Sequence, residues 1–369
     1  MRKVLGVVVG LCVGLSAPQA FAQKKPAEAS NIGSSILSQG PQKQVENTVG
    51  VISGNPGGTD LYAAYDMSAV LDDKDIRILP MVGRGAGQNV IDILKLRGVD
   101  AGVTQTDILN YFKKNGIGGS EIADRVYYIT KLYNKELHIL ASDKINSIKE
   151  LEGKAVNFGE IGSGADISGR LILDALGIKV QAMNVPQTDA LIMIKEGKLA
   201  ASMVVDGKPV NFFNTIKASD GVKLLGVPYA PALEDDYLPA ELTADDYPGI
   251  VTAGKPLETV AVGAVLAAYN WPKKTDRYDR VSKFVNALFD KHAEFQKSAR
   301  HPKWKEVNLT ALLVGWKRFP AAAEWLEGAS QKAAAAAAAA NKAPVAGAPK
   351  DENAALFQEF LEWRKKSGR

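Results

Sequence analysis

Three glycine-rich turns carry the clearest chemistry in the sequence, because each follows an apolar run and leads into an amphipathic one. They read GNPGGTD over 54–60, GRGAGQN over 83–89 and GEIGSGAD over 159–166. Such a turn exposes backbone N–H groups at the positive end of a helix dipole, and these groups attract anions. One glycine turn can also be a tight turn that binds nothing. Three at equivalent places favour an anion site at one edge of a sheet.

Two further features add side chains to these turns. The segment VTQTD over 103–107 follows a strand, and its polar residues could contact a ligand or only cap a helix. Arg84 offers a planar fork suited to a carboxylate, and a solvated surface arginine is an equally good interpretation. The candidate ligand-binding residues are therefore Asn55, Gly57, Gly58, Thr59, Arg84, Gly85, Gln88, Gln105, Thr106, Gly162, Ser163, Gly164 and Asp166.

The spacing of the remaining reactive residues argues against catalysis, metals and cofactors. The glycine turns have neither the dinucleotide fingerprint spacing nor the P-loop pattern. His138, His292 and His301 are far apart in sequence, with no motif that pairs them as metal ligands. The carboxylate pairs at 235–236 and 245–246 lie on proline-flanked segments typical of solvated turns. We therefore expect no catalytic residue, no metal and no cofactor.

The elements that position the turns follow from the alternation of β-branched apolar runs with amphipathic runs. This alternation predicts two α/β units in tandem. The predicted strands are 48–52, 76–82, 101–104, 155–158, 180–184 and 200–205, and the predicted helices are 60–71, 89–96, 165–176 and 188–195.

Two apolar runs suit connections between the units. The segment 127–141 contains two strand-like runs and would carry the chain across, and 260–268 would return it. The amphipathic run 278–295 predicts a helix on the first lobe. The expected organisation is a signal peptide at 1–22, a flexible leader at 23–44, lobe I at 45–138 with 256–328, lobe II at 139–255, an alanine- and proline-rich linker at 329–353 and a C-terminal helix at 354–369.

The amino terminus has the pattern of a secretory signal. Arg2 and Lys3 precede an apolar run over 4–15, and small residues predict cleavage after Ala22. Cleavage would remove two basic residues and lower the formal net charge from +4 to +2, which predicts no nucleic-acid partner. The one cysteine, Cys12, lies inside this segment, so we expect an exported chain without disulfides whose 46% hydrophobic residues build its core.

From residue 49 to about 325 the sequence resembles a TAXI-class solute receptor of the tripartite ATP-independent periplasmic (TRAP) transporters. GNPGGTDLY resembles the first glycine loop of that class, where an aromatic residue, here Tyr62, commonly follows. EGKLAASMVVDGKP resembles the segment whose strand returns to the cleft, which adds Asp206 and Gly207 to the candidate site. The sequence departs from the class at Asp60, Arg84 and at residue 86.

The resemblance implies a type II periplasmic-binding-protein fold, with two α/β lobes joined by crossing strands and a ligand cleft between them. It further implies a periplasmic, monomeric receptor without cofactors. Its expected role is to deliver a small organic anion, amino-acid or dicarboxylate-like, to the TRAP permease subunits of the inner membrane. Two alternatives remain open at this stage. They are a substrate-binding protein of an ABC transporter and a periplasmic enzyme on the same scaffold.

Overall fold

The computed structural model describes residues 48–342. The predicted signal peptide, the leader and the C-terminal helix lie outside the described residues. The two-lobe division at the predicted boundaries is used below as a naming convention. Lobe I denotes the part that contains the first glycine turns, and lobe II denotes the part that contains the turn at 159–166.

In this part of the chain, ten strands form one mixed sheet. Its order is β2-β1-β3-β10-β4-β7-β5-β6, with β8 beside β4 and β9 beside β10. The strands are β1 Thr48–Ile52, β2 Arg77–Met81, β3 Ala101–Gln105, β4 Val126–Ser142, β5 Ala155–Asn157, β6 Gln181–Met183, β7 Ala201–Asp206, β8 Val222–Leu225, β9 Leu238–Leu242 and β10 Leu257–Tyr269.

Helices follow most of the strands of each lobe. Short 3-10 turns lie at Ile148–Leu151, Ala218–Asp220, Pro231–Leu233 and Pro302–Glu306. The α-helices are α1 Thr59–Leu71, α2 Ala86–Lys95, α3 Thr106–Asn115, α4 Ile122–Arg125, α5 Gly164–Ala175, α6 Gln187–Lys195, α7 Asn211–Asn214, α8 Asp276–Asp290, α9 His292–Phe295 and α10 Pro320–Lys342.

Each lobe contains three strands that pair in parallel, and the crossing strands β4 and β10 pair antiparallel with these groups. In lobe I, β1 lies between β2 and β3, and in lobe II, β5 lies between β6 and β7. Strands β4 and β10 run antiparallel to each other and connect the two groups. The predicted fold of two α/β units joined by crossing strands is confirmed.

The predicted elements are confirmed with small changes at their ends. The strand 48–52 is unchanged, and most other boundaries move by one residue. The larger change is in α2, which begins at Ala86 instead of Asn89, so the second glycine turn supplies its first residues. The two strand-like runs over 127–141 form one strand, β4. The predicted helix 278–295 is split at Lys291 into α8 and α9.

Separate apolar cores stabilise the two lobes. Helix α8 packs Val281, Phe284 and Leu288 against the side chains of β1 and α1, as predicted for a helix on lobe I. A second cluster joins Phe158 of lobe II with Ile172 of α5 and the second half of β4. Each lobe therefore has an apolar core of its own.

Helix α10 extends into the segment 329–353, which the sequence analysis assigns to an alanine- and proline-rich linker. The helix continues through the alanine run to Lys342. Alanine has the highest intrinsic helix propensity, so a run of alanines extends a helix that already has a packed first turn. That anchor is formed by Ala321 and Ala322, which are buried, and by Trp325, whose Nε1 donates to Asp290 Oδ1 at 2.8 Å.

This packing predicts where helix α10 stops contributing to stability. Residues 331–336 are all exposed, so Lys332→Ala should change the free energy of unfolding by less than about 0.5 kcal/mol. Trp325→Ala, which loses the edge-to-face contact with Phe289, should cost about 1 to 3 kcal/mol. Denaturant unfolding compares the two variants. A loss in Lys332→Ala as large as that in Trp325→Ala would contradict this division of the helix.

Candidate functional site

A cavity of about 450 Å³ lies where the three glycine turns and the end of β7 meet. The carboxyl ends of parallel strands from both lobes face it, which is where open α/β sheets bind ligands. Half of the residues predicted from the sequence line this cavity. They are Asn55, Gly57, Gly58, Arg84, Gly85, Ser163, Gly164 and Asp206.

The start of α1 is occupied by a carboxylate of the chain itself. The backbone N–H of Thr59 donates to Asp206 Oδ2 at 3.1 Å, and the N–H of Gly207 donates to Asp206 Oδ1 at 2.8 Å. The hydroxyl of Thr59 donates to the carbonyl oxygen of Gly207 at 2.6 Å. An N–H group that the sequence assigns to a ligand anion therefore already has an anionic partner, supplied by lobe II.

A buried charge cluster lies directly behind this contact. We call Asp60, Lys135 and Asp206 the Lys135 cluster. The ammonium of Lys135 donates to Asp60 Oδ2 at 2.6 Å, and both side chains are almost fully buried. Tyr133 donates to the other oxygen of Asp60 at 2.9 Å, and the side-chain oxygen of Gln105 accepts from Lys135 at 3.4 Å. All three members of the cluster line the cavity.

Two pKa values in the Lys135 cluster depart from their ordinary range. Burial alone would lower the pKa of Lys135, but the negative charges of Asp60 and Asp206 outweigh it and raise that pKa. Asp206 keeps some exposure through the cavity, while protein atoms surround its carboxyl on the other sides. This burial, together with Asp60, raises the pKa of Asp206 to about 6 against the opposing effect of Lys135.

The second and third glycine turns contact each other across the lobes. The carbonyl oxygen of Gly162 accepts from the N–H groups of Gly87 at 3.1 Å and Gln88 at 3.0 Å, so lobe II caps the start of α2. A Cβ atom on Gly87 would lie 2.9 Å from that same oxygen and 2.3 Å from Ile167 Cδ1. Glycine at position 87 is therefore required by the close approach of the two lobes.

A third polar contact joins the lobes beside the cavity. Gln105, fully buried at the end of β3, donates to Ser168 Oγ of α5 at 2.8 Å. A Cβ atom on Gly164 would lie only 2.1 Å from Gln105 Oε1. Glycine at position 164 therefore allows the third turn to approach this buried side chain. Gln105 thus connects the lobes behind the cavity wall.

Several other predicted residues hold the turns in place. Ser163 is the N-cap of α5 and accepts from the N–H of Asp166 at 3.1 Å. Asp166 accepts from the N–H of Gly162 at 3.0 Å and pairs with Arg170. Gln88 donates to Asp92 at 2.9 Å within α2. Gln88, Gly162 and Asp166 therefore do not line the cavity, and their contacts stabilise the turns.

Tyr62 and Thr106 lie near the cavity without lining it. The ring of Tyr62 stacks on His301, and its hydroxyl accepts from Asn211, a lining residue of lobe II, at 3.0 Å. Tyr62 therefore bridges the lobes at the rim. Thr106 is half-buried as the first residue of α3.

Arg84 differs from the other charged groups of the cavity. Its side chain is exposed to the cavity, and no hydrogen bond or ion pair joins it to another described residue. Glu160 on the opposite lobe is likewise exposed and without a partner in the described part of the chain. The guanidinium of Arg84 is thus a free cation at the site, in contrast to the paired ammonium of Lys135.

The sequence analysis missed Lys135 and Asp60 as lining residues. Lys135 and Glu136 are adjacent charged residues inside the mostly apolar run that becomes β4, and buried charges of this kind need partners. That pattern could have identified Lys135. Some missed lining residues, such as Glu160, lie within the predicted glycine turns. Others come from segments with no glycine or strand-end signal, among them Gln187 and Thr188 of α6 and Asn211 and Phe212 of α7.

Other site classes find no support in the described residues. Over 48–342 no group of three or more histidine, cysteine, aspartate or glutamate residues could hold a metal ion. No helix in the same range is long and apolar enough to cross a membrane.

Comparison with known proteins assigns most of the chain to one family. The model of the NMT1-like family matches residues 52–320. The chain is also similar to the solved structure of the periplasmic binding protein BugD, with 18% identity, 70% of this chain and 88% of that chain covered, and a TM-score of 0.44. It is also similar to an amino acid ABC transporter substrate-binding protein from Streptococcus pneumoniae Canada MDR_19A bound to L-arginine. The identity is 14%, 71% of this chain and 95% of that chain are covered, and the TM-score is 0.39.

A third similar structure is the alkanesulfonate-binding protein SsuA from Xanthomonas axonopodis pv. citri bound to MOPS, with 13% identity, 70% and 81% coverage and a TM-score of 0.41. Because the family model covers most of the chain, the protein belongs to the NMT1-like family, which is periplasmic-binding-protein-like. The expected two-lobe fold class is confirmed, and the finer assignment to the TAXI class remains a proposal.

The contact at Gly162 gives a test of how the lobes approach. Gly87→Ala should push the lobes apart, because its Cβ meets a backbone oxygen, while alanine favours helix α2 itself by up to about 1 kcal/mol. We expect a larger radius of gyration in small-angle scattering and faster amide exchange over 85–88. The free energy of unfolding should change by less than about 1 kcal/mol.

Gly328→Ala in α10 is the matched control, because no atom lies within 4 Å of a Cβ there. It should leave the scattering and the exchange over 85–88 unchanged. A strong loss of stability in Gly87→Ala at an unchanged radius of gyration would contradict the account, since it would place the glycine in the fold of lobe I alone.

Proposed function

We propose that the protein is an extracytoplasmic receptor that captures a small organic anion, amino-acid or dicarboxylate-like, between its lobes and delivers it to a TRAP permease. The observation that carries this proposal is Arg84, a guanidinium with no partner among the described residues that faces a cavity between two lobes. A guanidinium binds a carboxylate through two parallel hydrogen bonds.

The size and lining of the cavity support a small solute. A volume of about 450 Å³ is within the range of small-molecule sites. Lobe I contributes Arg84 and the first glycine turn, and lobe II contributes the turn at 159–166 and Phe212. A solute held by both lobes stabilises their approach, which is how a hinged receptor is expected to close.

The proposed delivery step rests on the crossing strands. Strands β4 and β10 connect the lobes, so changes in their backbone angles could open and close the cleft. The family and the expected signal peptide support export to the periplasm. The resemblance to the TAXI class supports a TRAP permease as the membrane partner, and the absence of a recognisable catalytic motif in the sequence supports binding without turnover.

Thermal-shift screening of organic acids, amino acids, sugars and polyamines tests the proposed ligand class. A binding carboxylate at a hundredfold excess over its Kd should add about 2.7 kcal/mol to the free energy of unfolding. Recovery of the same carboxylate, chemically unchanged, after incubation tests binding against turnover. Stabilisation by sugars or polyamines alone would contradict the anion proposal.

The role of Arg84 is tested by calorimetry with the carboxylate found in the screen. Arg84→Ala should weaken binding by about 2 to 4 kcal/mol, the scale for truncating one partner of a hydrogen-bonded charge pair. Arg84→Lys should restore only part of the affinity, because a point charge cannot form two parallel bonds.

Arg97→Ala is the matched control for this series. Arg97 is exposed, has no described partner and lies outside the cavity lining, so its removal should leave the affinity unchanged. Unchanged affinity in both Arg84 variants would remove Arg84 from the site and leave the anion to backbone N–H groups such as those of Gly57 and Gly164. The N–H groups of Gly58 and Ser163 already donate to the carbonyl oxygens of Asn55 and Glu160.

A further inference from the structure

The cavity wall holds more negative than positive charge. Its ionisable side chains are the cations Arg84 and Lys135 and the three carboxylates of Asp60, Asp206 and Glu160. Lys135 is bound to Asp60 at 2.6 Å, so its charge is already compensated. An anion that pairs with Arg84 therefore enters a site whose remaining charge is negative.

Asp206 is the carboxylate placed to respond to that anion. It lines the cavity, and the N–H groups of Thr59 and Gly207 hold its two oxygens in position. By contrast, Asp60 is buried in direct contact with Lys135 and Tyr133, and Glu160 is solvent-exposed.

We propose that Asp206 sets the charge specificity of the cleft, and that a solute carboxylate binds together with one proton, which Asp206 takes up from solvent. This inference rests on the proposed function of anion capture. The proton moves from water or buffer to a carboxyl oxygen of Asp206, and no bond of the solute is made or broken. The other oxygen of the neutral carboxyl can still accept from the N–H of Thr59.

The groups that face Asp206 support uptake of a proton here. They are Asp60 of α1, Tyr133, Lys135 and Glu136 of β4, Lys303 of the 3-10 turn at Pro302–Glu306, and Tyr247 of the segment after β9. Glu136 and Lys303 bind each other at 2.6 Å, and burial raises the pKa of both tyrosines, which keeps them neutral.

The remaining balance near Asp206 is set by the charges of Asp60 and Lys135 and by the N–H groups of Thr59 and Gly207, which favour the ionised carboxylate. Burial and the charge of Asp60 already raise the pKa of Asp206 to about 6. A second anion in the cavity acts in the same direction, because like charges disfavour ionisation. The complex should then hold a proton at pH 7 that the free protein mostly lacks, and the affinity should fall as the pH rises.

Calorimetry on the full chain tests this inference with amine-free carboxylates, namely pyruvate, lactate, succinate and benzoate. Each is titrated at pH 7 in phosphate and in Tris, whose ionisation enthalpies differ, so the difference in heat counts the protons taken up. We expect uptake of about 0.5 to 1 proton per bound carboxylate, and an affinity about two- to tenfold lower at pH 8 than at pH 7, the larger drop going with the larger uptake.

Variants identify the carboxyl that takes the proton. Asp206→Asn should abolish proton uptake, remove the pH dependence and bind about tenfold more tightly than the wild type at pH 8. Glu160→Gln and the control Asp174→Asn, which changes an exposed residue of α5 outside the cavity, should retain proton uptake. Loss of uptake in Glu160→Gln with retention in Asp206→Asn would overturn the assignment to Asp206.

The wild-type titration decides the proposal even if Asp206→Asn fails to fold. Binding of a carboxylate with no proton uptake, or with proton release, overturns this inference and leaves the proposed function standing. If none of the carboxylates binds and the thermal-shift screen also finds none, the proposed function fails and this inference fails with it.

Discussion

A buried ammonium group on a crossing strand is the constraint on which the site depends. Lys135 lies inside β4, almost fully removed from water, and an unpaired charge there would be strongly destabilising. Asp60 supplies the direct ion pair from the start of α1, and Asp206 adds negative charge from the end of β7. The need to compensate one charge therefore brings the two lobes and the crossing strand to a single point, which becomes the wall of the cavity.

The glycine turns serve contact between lobes as well as access to the cavity. Gly57 and Gly58 line the cavity, whereas Gly87 is required because the carbonyl oxygen of Gly162 approaches its backbone. N–H groups at the starts of α1 and α2 donate hydrogen bonds to lobe II. Their acceptor is a carboxylate at α1 and a carbonyl oxygen at α2. These pairs satisfy helix N–H groups that would otherwise be free. The unpartnered guanidinium of Arg84 is consequently the stronger candidate for binding a solute anion.

The sequence predicted helices and strands well where the hydrophobic periodicity was regular. It missed those whose position depends on tertiary contacts. Strand β1 and the boundaries of α1 and α5 follow from local patterning and turn residues. The early start of α2 depends on a cap from the other lobe, and the short strands β8 and β9 exist because they pair with β4 and β10. Arg84 could be proposed from its place after a strand. The partnership of Asp206 with Thr59 joins residues 147 positions apart and has no local signal.

The most direct test of the central claim is a crystal structure of the chain bound to the carboxylate that stabilises it most. The account predicts the solute in the cavity between the lobes, with its carboxylate oxygens about 2.7 to 2.9 Å from the guanidinium nitrogens of Arg84 and Asp206 still bound to the N–H of Thr59. A solute whose carboxylate displaces Asp206 from the start of α1 and leaves Arg84 without contact would contradict it, as would a solute bound outside this cavity.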